Sequence, residues 1–185
     1  MKTYKKNFDL LKKNNVYSED MEHDACGVGL IASTEGKKSR NVVEYGIEAL
    51  KAVWHRGAVD ADGKTGDGAG IHVEIPKDFF IEKIEVTGHT HDNSEICVGM
   101  IFLPRNDYAA QESCKTIVES ELTKNDFNIY GWRQVPVNPK VLGEKAFQTM
   151  PEISQVLFKT HNKELTNKDL ERKIYAVSYT HLRAH

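Results

Sequence analysis

The sequence predicts an α+β fold. In some segments apolar residues recur at the spacing of a helix, and in others they alternate or run together as in a strand. The chain has 185 residues, 39% of them hydrophobic and 28% charged, which is an ordinary globular balance for one domain or part of one. Strands and helices of this kind form sheets faced by helices, but the pattern alone does not select a topology.

Three segments are predicted to be helical. The first begins at Asn41 as the helix cap and ends before Gly57, the glycine that would terminate it, which places Arg56 at the helix exit. Its apolar residues at helical spacing are Val43, Ile47, Leu50 and Trp54. The second helix covers 107–121 and turns Cys114, Ile117, Val118 and Leu122 inward. The third covers 167–175.

Five segments are predicted to be strands. Residues 28–32 and 71–75 alternate in polarity or size, whereas the other three are more continuously apolar. Those three are 96–103, 128–137 and 153–158. A turn is expected at 35–37, a Gly- and Asp-rich loop at 60–70, and a Pro- and Gly-bearing link at 138–151.

Charge and cysteine content exclude several classes of protein. The 25 Lys and Arg residues against 27 Asp and Glu residues give a net charge of −2, so no basic surface points to nucleic acid or an anionic membrane. No apolar run approaches the ~20 residues of a membrane span, and residues 1–25 are too polar for a secretion signal. Cys26, Cys97 and Cys114 form no CxxC pair, which argues against a disulfide framework and favours a reducing cytoplasm.

Cys26 is the candidate nucleophile, because it lies between small residues at the start of an apolar strand. Gly27 and Gly29 leave room for a substrate at the backbone. If residues 1–25 were removed, the thiol and a free α-amine would belong to one residue, and an amine of pKa ~8 could accept the thiol proton near neutral pH. The alternative is that this cysteine only packs, as buried cysteines usually do.

Two further stretches accompany Cys26 and together carry a resemblance. Glu22 to Gly29 (EHDACGVG) is followed by His55 to Ala58 (HRGA) and then by Thr65 to Gly70 (TGDGAG). In this order and spacing they resemble the start of the glutamate synthase large subunit, its class II glutamine amidotransferase domain. The resemblance continues through Gly131 to Val137 and through Glu171 to Tyr175.

The resemblance implies a four-layer αββα sandwich, the fold of N-terminal-nucleophile hydrolases, of which this chain holds the N-terminal part. It implies that Cys26 attacks the side-chain amide of glutamine, while Gly27, Arg56, Asp67 and Gly68 bind the substrate or orient the site. The oxyanion donors of the family belong to a His-Asn-Gly-Glu motif beyond the matched region. The similar stretch at 161–164 is rejected, because lysine replaces the glycine.

The domain organisation expected from the resemblance has three parts. Residues 1–25 are a leader expected to be removed, 26–175 a partial amidotransferase domain, and 176–185 a tail that does not resemble the family. No cofactor is expected in this segment, while FMN and an iron–sulfur cluster are expected in the missing synthase part. The implied partners are glutamine, the rest of the synthase chain, and a small electron-transfer subunit or ferredoxin.

Other interpretations stay open. The chain could be a different class II amidotransferase, an amide hydrolase of the same fold, or a non-catalytic binding module. A metal site at His89 to Asp92 is a weaker alternative, because such a polar run is more often a solvated loop. A calcium loop at 60–63 and a phosphate loop at 57–65 are weaker still, because their glycines are misplaced.

Overall fold

The computed structural model describes residues 27–54, 57–162 and 164–182. The chain divides into two compact units. The first comprises Met1–Ala58 and Ala69–Ile71, and the second comprises Val59–Gly68 and His72–His185.

The first unit contains one described helix, α1, at Arg40–Ala52. Its N-cap is Ser39, whose side-chain oxygen accepts a hydrogen bond from the backbone N–H of Asn41 at 3.2 Å. The predicted cap at Asn41 is therefore wrong by two residues, since an earlier serine satisfies the free N–H groups of the first turn. The expected turn before the helix is present, with Gly36 N–H donating to the Ser33 carbonyl.

The C-terminal end of α1 also differs from the prediction. The helix stops at Ala52, so Gly57 does not terminate it and Trp54 lies beyond it with 75% of its surface exposed. No residue of α1 is fully buried. The helix prediction is confirmed, while the predicted extension of the helix as far as Gly57 is wrong.

Residues 27–32 form no strand, which corrects the expectation of an alternating strand after Cys26. Val28 is 94% exposed and Leu30 is 89% exposed. Among the described residues, strand pairing is confined to one sheet and an isolated bridge between Val59 and Gly66. An alternating pattern becomes a strand only when a neighbouring strand takes up its backbone hydrogen bonds, and this segment has no such neighbour in the described part of the chain.

The second unit contains the sheet and the remaining helices. The strands are β1 (Cys97–Leu103), β2 (Phe127–Gln134) and β3 (Glu152–Thr160). The helices are α2 (Lys77–Val86), α3 (Tyr108–Lys124), α4 (Glu144–Thr149) and α5 (Asn167–Ala176), with a 3₁₀ turn at Pro139–Val141 and a π-helical segment at Val177–His181.

The sheet has the order β1-β3-β2, and both outer strands are antiparallel to β3. β1 and β2 therefore run in the same direction, joined by α3, and β3 enters the gap between them. This is a split β-α-β arrangement. It buries β3 on both of its faces, which explains why five consecutive residues of that strand, Ser154 to Phe158, are buried.

Each face of the sheet carries its own apolar cluster. One cluster joins the sheet to α3 and α5 and contains Cys97, Val118, Leu122, Phe127, Val156, Phe158, Leu170 and Val177. The other joins the opposite face to α2 and contains Phe80, Ile84, Ile96, Tyr130 and Leu157. Neighbouring residues of β3 alternate between the two clusters, as the two-residue period of a strand requires.

The structure confirms the strands predicted at 96–103, 128–137 and 153–158 and the helices predicted at 107–121 and 167–175, within a few residues at each end. It contradicts the strand at 71–75, which has no regular structure and is mostly exposed. The link at 138–151 contains the 3₁₀ turn and α4. No helix in the described ranges is long and apolar enough to cross a membrane.

Candidate functional site

The predicted site residues are only partly described by the structure. Cys26 and Arg56 lie outside the described residues. Gly27 belongs to the first unit and is exposed, and a Cβ added to it would meet no atom within 4 Å. Asp67 and Gly68 are neighbours on one exposed loop of the second unit. The structure therefore places three of the five predicted residues and brings two of them together.

The loop that leads to Asp67 and Gly68 is closed on itself. Val59 and Gly66 form an antiparallel bridge, and the Asp60 N–H donates to the Thr65 carbonyl at 2.7 Å. The chain reverses at Gly63, which has φ +68° and donates its N–H to the Asp60 carbonyl at 2.9 Å. A side chain would be strained at that φ, so glycine suits this turn.

Asp62 is the hydrogen-bonding centre of this loop. Its Oδ1 accepts from the backbone N–H groups of Lys64 at 2.9 Å and Thr65 at 2.7 Å. Its Oδ2 accepts from the Thr65 hydroxyl at 2.6 Å and from the backbone N–H of Glu144 at 3.1 Å. These bonds, the one from the Thr65 hydroxyl first, lower the pKa of Asp62 to about 2, because each of them favours the charged carboxylate.

The bond to Glu144 connects the loop to the N-terminus of α4, 82 residues further along the chain. Gly143 precedes this helix and is buried against the loop. A Cβ added to Gly143 would lie 2.5 Å from the backbone nitrogen of Thr65, and nearer still to the Thr65 hydroxyl and the Asp62 carboxylate. The close approach therefore requires glycine. A second, exposed link joins Lys145 Nζ to Asp60 Oδ2 at 2.6 Å.

Sequence reasoning missed Asp62, Thr65, Gly143 and Glu144 as a group. A local signal existed, because an aspartate in a turn can accept the backbone N–H of the residue two positions on, here Lys64. The part of the contact that comes from α4 had no signal, since nothing in a sequence relates positions 62 and 144.

The other cysteines and the histidine-rich segment do not form a site. Cys97 is buried, and burial raises the pKa of its thiol to about 12, so it behaves as a packed side chain. Near the histidines, the Asp92 carboxylate pairs with Lys159 at 2.8 Å and His91 Nε2 lies 2.9 Å from the Ser94 carbonyl. Within the described ranges, no group of three or more His, Cys, Asp and Glu residues could hold a metal ion.

The described residues thus have a mixed α+β structure, and a closed loop centred on the Asp62 carboxylate leads into the Thr65–Gly70 motif. A comparison with family models matches residues 26–184 to the class II glutamine amidotransferases. Because the match covers most of the chain, the chain belongs to this family of enzymes.

Within the family, the chain is similar to the large chain of the NADPH glutamate synthase of Azospirillum brasilense, at 52% identity over 174 residues, or 94% of this chain. It is 41% identical over 155 residues to the ferredoxin-dependent glutamate synthase 1 of Arabidopsis thaliana, and 37% identical over 155 residues to the ferredoxin-dependent glutamate synthase 2 of Synechocystis. The two alignments each cover 83% of this chain. The chain spans only about a tenth of the length of these relatives, 11%, 9% and 10% respectively.

Proposed function

We propose that this segment is the glutaminase part of a glutamate synthase. It hydrolyses glutamine to glutamate and ammonia, and the ammonia is transferred to 2-oxoglutarate elsewhere in the enzyme. The observation that carries the proposal is where the family match begins: the class II amidotransferase model starts at Cys26, the one cysteine with the sequence context of a nucleophile. The similarity to glutamate synthases of three organisms supports a glutamate synthase over another class II amidotransferase.

The proposed chemistry needs a thiolate and a proton carrier in one residue. The Cys26 sulfur attacks the amide carbon of the glutamine side chain, and its own α-amine takes the thiol proton and passes it to the departing nitrogen. The C–N bond breaks, ammonia leaves, and water hydrolyses the thioester to release glutamate. Developing charge on the amide oxygen requires preorganised hydrogen-bond donors, which the family resemblance assigns to a motif outside this segment.

The leader must be absent for this chemistry. While Ala25 is joined to Cys26, the nitrogen of Cys26 is an amide without a basic lone pair. Removal of residues 1–25 creates the amine, and the start of the family match at position 26 supports that boundary. The match runs on through residue 184, and the division between domain and tail at 176 stays a prediction.

Gly27, Arg56, Asp67 and Gly68 are proposed to bind glutamine or orient Cys26. A guanidinium suits the substrate's α-carboxylate, because it can make two parallel charge-assisted hydrogen bonds. For Asp67 and Gly68 the support is the hydrogen-bonded loop that precedes them, which holds its shape by main-chain bonds and the Asp62 carboxylate.

The proposed fold is the N-terminal part of a four-layer αββα sandwich. The described sheet with α3 and α5 on one face supplies one helical layer and one sheet layer. On the opposite face α2 covers only part of the sheet and leaves Met100 49% exposed and Phe102 64% exposed. These apolar side chains support the packing of a second sheet there, because apolar area is stabilised by removal from water.

FMN and an iron–sulfur cluster are proposed to lie in the synthase part. The described residues do not fit an iron–sulfur cluster, which needs several cysteine thiolates, because only Cys97 and Cys114 are present there and both are free. The electron donor is proposed to be a reduced nicotinamide, delivered through a small subunit, or ferredoxin, as the names of the relatives indicate for those proteins. A cytoplasmic location is proposed with them.

The test compares two activities of a glutamate-synthase-length chain that carries this segment. Cys26→Ser should abolish glutamate synthesis from glutamine and leave synthesis from ammonia intact, because a hydroxyl of far higher pKa cannot supply the thiolate. Cys114→Ser, a matched change at a half-buried helical cysteine, should leave both rates within about twofold of the wild type. Glutamine hydrolysis retained by Cys26→Ser would contradict the proposal.

A further inference from the structure

The Thr65–Gly70 motif lacks regular secondary structure of its own. The chain forms neither helix nor strand from Asp67 to Ile75, and both Asp67 and Gly68 are exposed. A catalytic site requires its groups to be held within a fraction of an ångström, and a loop reaches that precision only when hydrogen bonds and close contacts support it. One such support is formed at the start of the motif, where Asp62 binds Thr65.

We propose that Asp62 is the positioning residue of this motif, and that it acts by fixing the loop at 60–66 to the N-terminus of α4. This inference rests on the proposed glutaminase function. One carboxylate oxygen shapes the turn through the N–H groups of Lys64 and Thr65, and the other joins the Thr65 hydroxyl to the Glu144 N–H. Asp62 touches no reacting atom in this scheme.

Two physical features support a rigid connection. The first N–H groups of a helix have no acceptor within the helix, and the Asp62 carboxylate accepts one of them, the N–H of Glu144, at 3.1 Å. Gly143 allows the loop backbone to approach so closely that even one methyl group would displace Thr65. Asp62 therefore supplies the hydrogen bonds of this contact, and the absence of a side chain at Gly143 allows the two backbones to come close enough to form it.

The contact predicts the behaviour of two independent variants. In Asp62→Asn an NH₂ group must replace one carboxylate oxygen, so the variant cannot accept all four hydrogen bonds. In Gly143→Ala the new Cβ pushes the loop away from α4. Both changes should shift the same motif, and the double variant should be no more than about twofold worse than the poorer single variant, because effects through one shared contact are not additive.

The experiment measures glutamine-dependent and ammonia-dependent glutamate synthesis in the glutamate-synthase-length chain. Asp62→Asn and Gly143→Ala should each lower kcat/KM for glutamine at least tenfold and leave the ammonia-dependent rate within about twofold. Thr65→Ser keeps the hydroxyl and should retain activity, whereas Thr65→Val removes it and should resemble Asp62→Asn. Asp60→Asn is the charge-matched control, and it should stay within about twofold, because its ion pair with Lys145 is exposed.

Several outcomes would overturn the inference. The first is that kcat/KM of Asp62→Asn for glutamine stays within twofold of the wild type. The second is that its glutamine-dependent and ammonia-dependent rates fall equally. The third is that Asp60→Asn loses as much glutamine-dependent activity as Asp62→Asn. Measuring Cys26→Ser in parallel distinguishes a failure of the positioning role from a failure of the proposed function. If Cys26→Ser keeps its glutaminase activity, the function is wrong, and if it loses that activity while Asp62→Asn does not, only the positioning role is wrong.

Discussion

The burial of Leu157 in the sheet allows the loss of stability on its substitution to be estimated. Leu157 lies in the central strand β3, is 0% exposed, and is paired with Val98 of β1 on one side and Gly131 of β2 on the other. Its side chain contacts the apolar cluster beneath α2, which includes Ile84. Leu157→Ala should therefore destabilise the second unit by removing buried apolar contacts.

The magnitude follows from the carbon atoms lost. Leucine to alanine removes three carbon groups, and at about 0.8 kcal/mol for each the transfer contribution is about 2.4 kcal/mol. A cavity adds to this, because β1 and β2 hold β3 on both sides and prevent full collapse. The expected total is about 3–4 kcal/mol, within the range of about 2–5 kcal/mol for buried leucines.

Urea denaturation of the 185-residue chain, followed by far-ultraviolet circular dichroism, measures this loss. With a slope of about 1.5–2 kcal/mol/M, the midpoint should fall by about 2 M. Phe102→Ala is the control, because this side chain lies on the same sheet face but is 64% exposed, and it should cost less than about 1 kcal/mol. A change of less than about 0.5 kcal/mol for Leu157→Ala, or an equal cost for Phe102→Ala, would refute the described packing.

Three other predictions concern processing, acid stability and one side-chain hydrogen bond. Intact-mass measurement of the active full-length enzyme should show a chain that begins at Cys26, and an active chain beginning at Met1 would disprove the mechanism. The pKa of Asp62 is lowered to about 2, so its stabilising effect is complete above the unfolded pKa and is lost as the pH falls from about 4 to 2. Across that pH range, the melting temperature of Asp62→Asn should fall less than that of the wild type. An equal fall in both proteins would contradict the stabilising role of the Asp62 carboxylate. The Trp132 indole N–H donates to Glu119 at 2.6 Å, so Trp132→Phe should cost about 1–3 kcal/mol in urea titration, and no loss would exclude the bond.

The sequence alone predicted the strands and helices in which the hydrophobic pattern agrees with the pairing and burial seen in the structure. The run at 96–103 and the run at 153–158 are apolar enough to be buried, and the structure pairs them as β1 and β3. Helix α3 begins after Asp107, whose side chain accepts from the Ala110 N–H as a cap should. In these segments local propensity and tertiary burial favour the same conformation, which is why periodicity predicts them well.

Prediction from the sequence pattern failed where a strand-like segment had no strand to pair with, and where a contact joined residues far apart in the sequence. Residues 28–32 and 71–75 have strand-like alternation, but no described strand pairs with either of them. The motifs around Cys26 and Arg56 identified the family without any structure, and their roles stay predictions because those two residues lie outside the described part.

The sequence by itself therefore determined the family, the candidate nucleophile, the three strands and the helices α3 and α5, but it did not predict α2 or α4. Only the tertiary structure decided the strand order β1-β3-β2, the exposure of Met100 and Phe102, and the contact of Asp62 with Glu144. The physical reason is distance along the chain. Periodicity and capping arise between residues a few positions apart. Strand order and the fixing of a loop depend on groups far apart in the chain, such as Asp62 and Glu144 at 82 positions, which only the folded chain brings within hydrogen-bonding range.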